Sequence, residues 1–161
     1  MKKNLLYMGF AAVLAMSSCA EQKQLNSSYT YKTECLGVEF DGSQKVVAYS
    51  GKRNREDAIE EAKKVAVREI LFSGLREGKP DCDVKPILNE ANAYANHEEY
   101  FIRFFNSAYK TYALYVEERA GQKAKQQQKV KDVAQSTGYV LKINRPELKK
   151  KMIADGILPN Q

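Results

Sequence analysis

The sequence predicts an α+β layer fold, a mostly antiparallel sheet covered by helices, in the order β-β-α-(β)-α-β-β-α. Three observations predict it. Apolar and polar residues alternate with period two near both ends of the mature chain. Between them lies a stripe of small apolar residues at helical spacing, Ala58, Ile59, Ala62, Val65, Ala66 and Ile70. An aromatic run at the same spacing follows, with His97, Tyr100, Phe101, Phe104 and Phe105.

The elements follow in chain order. Tyr29 to Phe40 reads as the first strand, because Tyr29, Tyr31, Thr33 and Cys35 alternate with Thr30, Lys32 and Glu34. Asp41-Gly42 is a hairpin signal, and Lys45 to Ser50 is the return strand. Gly51 ends it. Asn54 then suits a helix N-cap, with Glu56 and Asp57 placed at the positive end of the helix dipole. This helix is expected to run to about Ser73 and to stop at Gly74. Its three stripe alanines imply close approach to the sheet. Leu75 to Asn89 holds two prolines, Gly78 and Asp81-Cys82-Asp83, and reads as an ordered loop with a short strand at Lys85 to Leu88. A second helix is expected from Glu90 or Ala95 to Asn106. Residues 94 to 115 contain eight of the sixteen aromatics, so this stretch should wall the core. Lys110 to Glu118 reads as a strand with Tyr112, Leu114 and Val116 on one face. Ser136 to Asn144 reads as another, with Tyr139, Leu141 and Ile143 together. The last helix has Pro146 near its first position, Leu148 and Met152 on one side, and Gly156 beyond its end.

The first nineteen residues carry an address. Lys2-Lys3 is a basic start, Leu5 to Met16 is a twelve-residue apolar run, and Ser17-Ser18-Cys19 follows. A span needs about 20 apolar residues to cross the hydrocarbon; twelve fits the core of a secretory signal. Small residues before Cys19 allow cleavage directly ahead of it and acylation of the cysteine. Met16 is less usual than Leu at the first position of that pattern. The rival reading is ordinary cleavage after Ala20, which would discard Cys19. The expected organisation is a signal peptide over residues 1–18, a lipidated Cys19 with a polar tether to residue 28, and one domain over 29–161. One acyl chain holds a protein marginally and two hold it firmly, at ~0.8 kcal/mol per buried methylene.

Three cysteines are an odd number for an exported chain. With Cys19 assigned to lipid, Cys35 and Cys82 remain. An oxidising compartment permits a bridge between them, closing a loop of about 46 residues worth ~4 kcal/mol on the chain-entropy account. Two buried thiols that never meet are the alternative.

Loss of Lys2 and Lys3 with the leader lowers the formal charge of +6 by two. Such mild basicity is no nucleic-acid footprint, and an envelope address makes that partner unexpected. No catalytic constellation emerges. The lone His97 has no spaced partners for metal or base chemistry and reads as a packing residue. Asp81-Cys82-Asp83 lacks calcium-loop or Cys-x-x-Cys spacing, and reads as a turn holding a disulfide partner. Glu117 and Glu118 are neighbours on a strand and point to opposite faces, so they cannot work as a paired acid and base. Gly51-Lys52 lacks the second glycine and the Ser/Thr of a phosphate loop. No metal and no cofactor are expected. Arg119 to Lys131 stands out: Arg119, Lys123, Lys125, Lys129 and Lys131 bring five positive charges and no acid. It is longer than a hairpin connection needs, and long loops are often functional. Solvated linker is its plain reading. Anionic lipid heads, glycan strands or an acidic partner are the ligands it would suit. Tyr109, Tyr112, Tyr115 and Tyr139 would stack on sugar rings if exposed, though strand tyrosines more often cover a core.

The run from Gly51 through Leu75 (GKRNREDAIEEAKKVAVREILFSGL), the aromatic stretch Tyr100 to Phe105, and Arg145-Pro146-Glu147-Leu148 through Asp155-Gly156-Ile157 together resemble a group of small envelope lipoproteins of Bacteroidota-type bacteria. The likeness covers most of the mature chain. The strand followed by an alanine-rich helix is also similar, at the level of fold, to the N-terminal domain of the flagellar assembly protein FlgT. Neither resemblance lends catalytic residues. The first implies an envelope component of unsettled role. The expected function is therefore a non-enzymatic lipoprotein, anchored in the outer membrane by its lipid and acting by contact with an envelope protein partner. The alternative is a binding module for peptidoglycan or surface polysaccharide that uses the basic loop.

Overall fold

A computed structural model of the chain describes residues 33–75, 77–119 and 137–159. Helices pack on one face of a five-stranded sheet whose four longer strands are antiparallel, so the fold is α+β. The strands are β1 (Glu34–Val38), β2 (Gln44–Ser50), β3 (Glu77–Gly78), β4 (Ala113–Arg119) and β5 (Thr137–Ile143), in the spatial order β3-β1-β2-β5-β4. The helices are α1 (Arg55–Arg68), α2 (Ala93–Asn96), α3 (Glu98–Asn106) and α4 (Arg145–Ala154).

Alternation decides which side chains meet the helices. On β2, Val46 and Ala48 join the main core while Val47 and Tyr49 turn to the other face. On β5, Tyr139, Leu141 and Ile143 join the core and Val140 pairs across from Val47. α1 lies over β2 and β5 with Ala58, Ala62 and Ala66 fully buried, so its backbone sits close to the strands. Asn54 caps α1 as the sequence predicts, its Oδ1 accepting from the N–H groups of Glu56 and Asp57. The helix continues through one π turn, Glu69–Ser73, and ends at Gly74, whose N–H bonds back to Glu69 O. Gly74 has φ +71°, and a Cβ there would lie 2.3 Å from Val84 O. On α4, Asn144 Oδ1 accepts from Glu147 N–H, and the helix closes at Gly156 with Ile157 N–H bonded to Met152 O.

Three expectations are corrected. Lys85 to Leu88 forms no strand: the Ile87 and Leu88 N–H groups go to the Ile70 and Leu71 carbonyls at the end of the π turn. The short strand is Glu77–Gly78 instead, parallel to β1. The aromatic helix is broken at His97 (φ −127°, ψ 37°), giving the short α2 and then α3. The strand expected from Lys110 begins at Ala113. Residues Ala108–Tyr112 coil as a 3₁₀ turn, which buries Tyr109 and stacks Tyr112 on Phe104. Leu114 does share a face with Lys142, but it is the face away from the helices; Ala113 and Tyr115 are the inward residues.

The topology gives the sheet two distinct ends. β1 and β5 start at one end, where β2 and β4 finish. The β1–β2 turn lies at the other, beside the end of β5 and the start of α4.

Candidate functional site

Of the residues singled out in the sequence, Cys19, Lys123, Lys125, Lys129 and Lys131 lie outside the described residues. Arg119, the last residue of β4, is tied to β1: its Nη1 is 3.5 Å from Glu34 Oε2. Cys35 and Cys82 are joined by a disulfide with Cα atoms 6.3 Å apart. The flanking acids are structural. Asp81 Oδ2 accepts the Val38 N–H, and Asp83 pairs with Arg145 and caps the Lys85 N–H. Buried Gln44 donates to Asp83 O, and Arg145 donates to Lys85 O, so the loop is pinned to both β2 and α4. His97 faces Glu90 at 3.8 Å. Among the described residues no group of three or more His, Cys, Asp or Glu could hold a metal ion.

The tyrosines form no open platform. Tyr109 and Tyr139 are buried, and Tyr115 lies under Arg55, which also pairs with Glu118. Tyr109 donates to Glu60 at 2.7 Å, where Lys63 and Lys110 also converge. Burial alone would raise Glu60, but the hydrogen bonds from Lys63, Tyr109 and Lys110 outweigh it and bring it down to about 2. Burial and the same carboxylate push the Tyr109 hydroxyl well above its ordinary range. Tyr100 and Asp155 repeat the arrangement at 2.6 Å, with Lys151 as the cation.

A groove of about 610 Å³ opens at the β1–β2 turn, lined by Val38, Glu39, Phe40, Asp41 and Lys142. Sequence reasoning missed it, because the alternation carries the first strand through to Phe40 and gives no turn there. Instead Phe40 is fully exposed at the tip of the turn. The turn beneath it is held from several directions. Glu39 N–H bonds to Ser43 O, and Gly42 N–H bonds to Glu39 O. Asp41 Oδ1 accepts from Ser43 N–H. Gly42 has φ +78° and packs so closely on Pro146 that a Cβ would lie 2.9 Å from its Cγ. Lys142, from β5, reaches Glu39 at 2.6 Å and Asp41 at 2.8 Å. Hydrogen bonds from Lys142 and the Ser43 backbone hold Asp41 down to about 2, and the two carboxylates hold Lys142 above its ordinary value. At neutral pH this lysine stays charged and Asp41 stays ionised, so neither is poised to shuttle protons.

No helix among the described residues is long and apolar enough to cross a membrane. Comparison with protein-family models, with curated proteins and with solved structures finds no match.

Proposed function

We propose that this chain is a non-enzymatic lipoprotein of a bacterial envelope, held in the outer membrane by acyl chains on Cys19 and working by contact with another envelope protein. The observation that carries the reading is the leader: a basic start, an apolar run too short to span, and a cysteine directly after two serines. The Cys35–Cys82 bridge supports it, since such bonds persist in oxidising compartments. The described residues contribute tied ion pairs and capped helices rather than a convergent acid, base and nucleophile. The alternative, a module for peptidoglycan or surface polysaccharide, drew on tyrosine faces that are turned inward, and now rests on the basic run alone.

Fractionation of cells carrying Cys19→Ala tests the anchor. The variant is expected to leave the membrane fraction, and the wild-type mature chain should carry acyl mass on residue 19. Full retention of Cys19→Ala in the membrane would overturn the reading. Detergent extracts of the wild-type should yield a stoichiometric envelope protein, and its consistent absence would remove the assembly role.

A further inference from the structure

We propose that β4 is the seam of a homodimer, pairing antiparallel with β4 of a second copy so that the two sheets become one. The inference goes beyond the reading above, which neither needs it nor falls with it. Of the two strands that end the sheet, β3 has two residues and β4 has seven. Among the described residues β4 pairs with β5 along one edge only. The Asn144 N–H donates to Tyr112 O, and this fixes the phase of the β4–β5 ladder. Leu114 and Lys142 are then the next bonded pair, while Ala113 and Tyr115 turn their backbone groups away from β5. The bulge between Tyr115 and Glu117 shifts the phase by one residue, so Glu118 is the next to face outward. The Ala113 N–H is taken by Lys110 O. Among the described residues nothing bonds to the outward N–H and C=O groups of Tyr115 and Glu118. Such an edge is completed by another extended strand. β4 contains neither Lys nor Pro, the residues that ordinarily guard an edge.

Register selects a second copy as that strand. Only pairings that set outward residues against each other exchange backbone hydrogen bonds. Glu118 set against Glu118 opposes like charges. Tyr115 set against Glu118 lays Val116 on Glu117. Tyr115 set against Tyr115 lays Leu114 on Val116 of the other copy, and does so on both sides of the two-fold axis. Leu114 and Val116 are 58% and 44% exposed, so this register covers apolar surface that the single chain leaves open. Glu117 then falls opposite Ala113 of the other copy, and Glu118 lies past the end of the other strand. No like charges stand opposite each other on the seam. On the helix side, the Arg55 over each Tyr115 ring is already paired with Glu118 of its own chain.

The test uses the full-length protein in its own cells. Two differently tagged copies are co-expressed, one with Leu114→Cys and one with Val116→Cys. In this register the mixed pair has Cα atoms about 4.5 Å apart, within disulfide reach. Copies with the same substitution sit on the diagonal, about 7–8 Å apart and beyond that reach. Mild oxidation is expected to cross-link the mixed pair several-fold more than either matched pair. In detergent, light scattering should give a dimer mass for the wild-type protein. Val116→Lys should raise its dissociation constant on the order of tenfold or more. The same variant should leave the melting midpoint of dilute, monomeric protein within about 3 °C, which separates a lost seam from lost folding. Leu114→Lys, at the more exposed position, repeats the measurement without touching the bulge. A wild-type protein that stays monomeric up to about 100 µM would overturn the proposal. So would a dimer that both lysine variants leave intact, matched pairs that cross-link as well as the mixed pair, or cross-links from these positions to a different protein only.

Discussion

Glu60 shows how single side chains tie this fold together and how pH should loosen it. Its carboxylate gathers Lys63 from its own helix, Lys110 from the 3₁₀ turn and the buried Tyr109 hydroxyl. Its folded value, about 2, lies below its ordinary 4.5, so its contribution is complete above about pH 4.5 and fades as pH falls toward 2. With a third of the side chain open to solvent, screening leaves about 1 kcal/mol. Glu60→Gln should lose that amount at pH 7 and show a shallower fall in stability between pH 4.5 and 2.5, read from urea melts. Gly74→Ala should cost more, about 2 kcal/mol or above, because φ is +71° and the Val84 carbonyl occupies the Cβ position. At this scale three caps were legible: Asn54, Gly74 and Gly156 act where their residue types promise. Phe40 was not, because periodicity reports alternation and is silent on where a strand runs past its sheet.

Among elements, α1 is the plainest case of sequence dictating packing. Ala58, Ala62 and Ala66 recur every fourth residue and all reach zero exposure against the strands. Ala62→Leu should force the helix off the sheet and cost about 1–3 kcal/mol, measurable as a lowered denaturation midpoint with an unchanged m-value. The departures from the predicted elements share a cause. The π turn at Glu69–Ser73, the break at His97 and the 3₁₀ turn at Ala108–Tyr112 lie beside closely spaced apolar or aromatic residues. Around such residues several helical windings satisfy the same pattern. Tertiary packing chooses among them: Phe72 set edge-on to Phe101, and Tyr112 stacked on Phe104.

For the whole molecule, the bridge between Cys35 and Cys82 encloses β2, α1 and β3 in one covalent loop. The double variant Cys35→Ser, Cys82→Ser should lose about 4 kcal/mol, and reductant should lower the wild-type melting midpoint but not that of the variant. The α+β class and the helix-covered antiparallel sheet were legible from two alternating ends and an amphipathic middle. Strand order was not, since nothing local in residues 137–143 says that β5 is central. Nor was the groove at the β1–β2 turn, because its lysine lies about a hundred residues after its two carboxylates. That late strand has a further consequence. Among the described residues β5 is the one strand that joins the β1–β2 hairpin to β4, and it sits in the final quarter of the chain. A polypeptide emerging N-terminus first therefore leaves β4 without its strand partner until residue 143 is free.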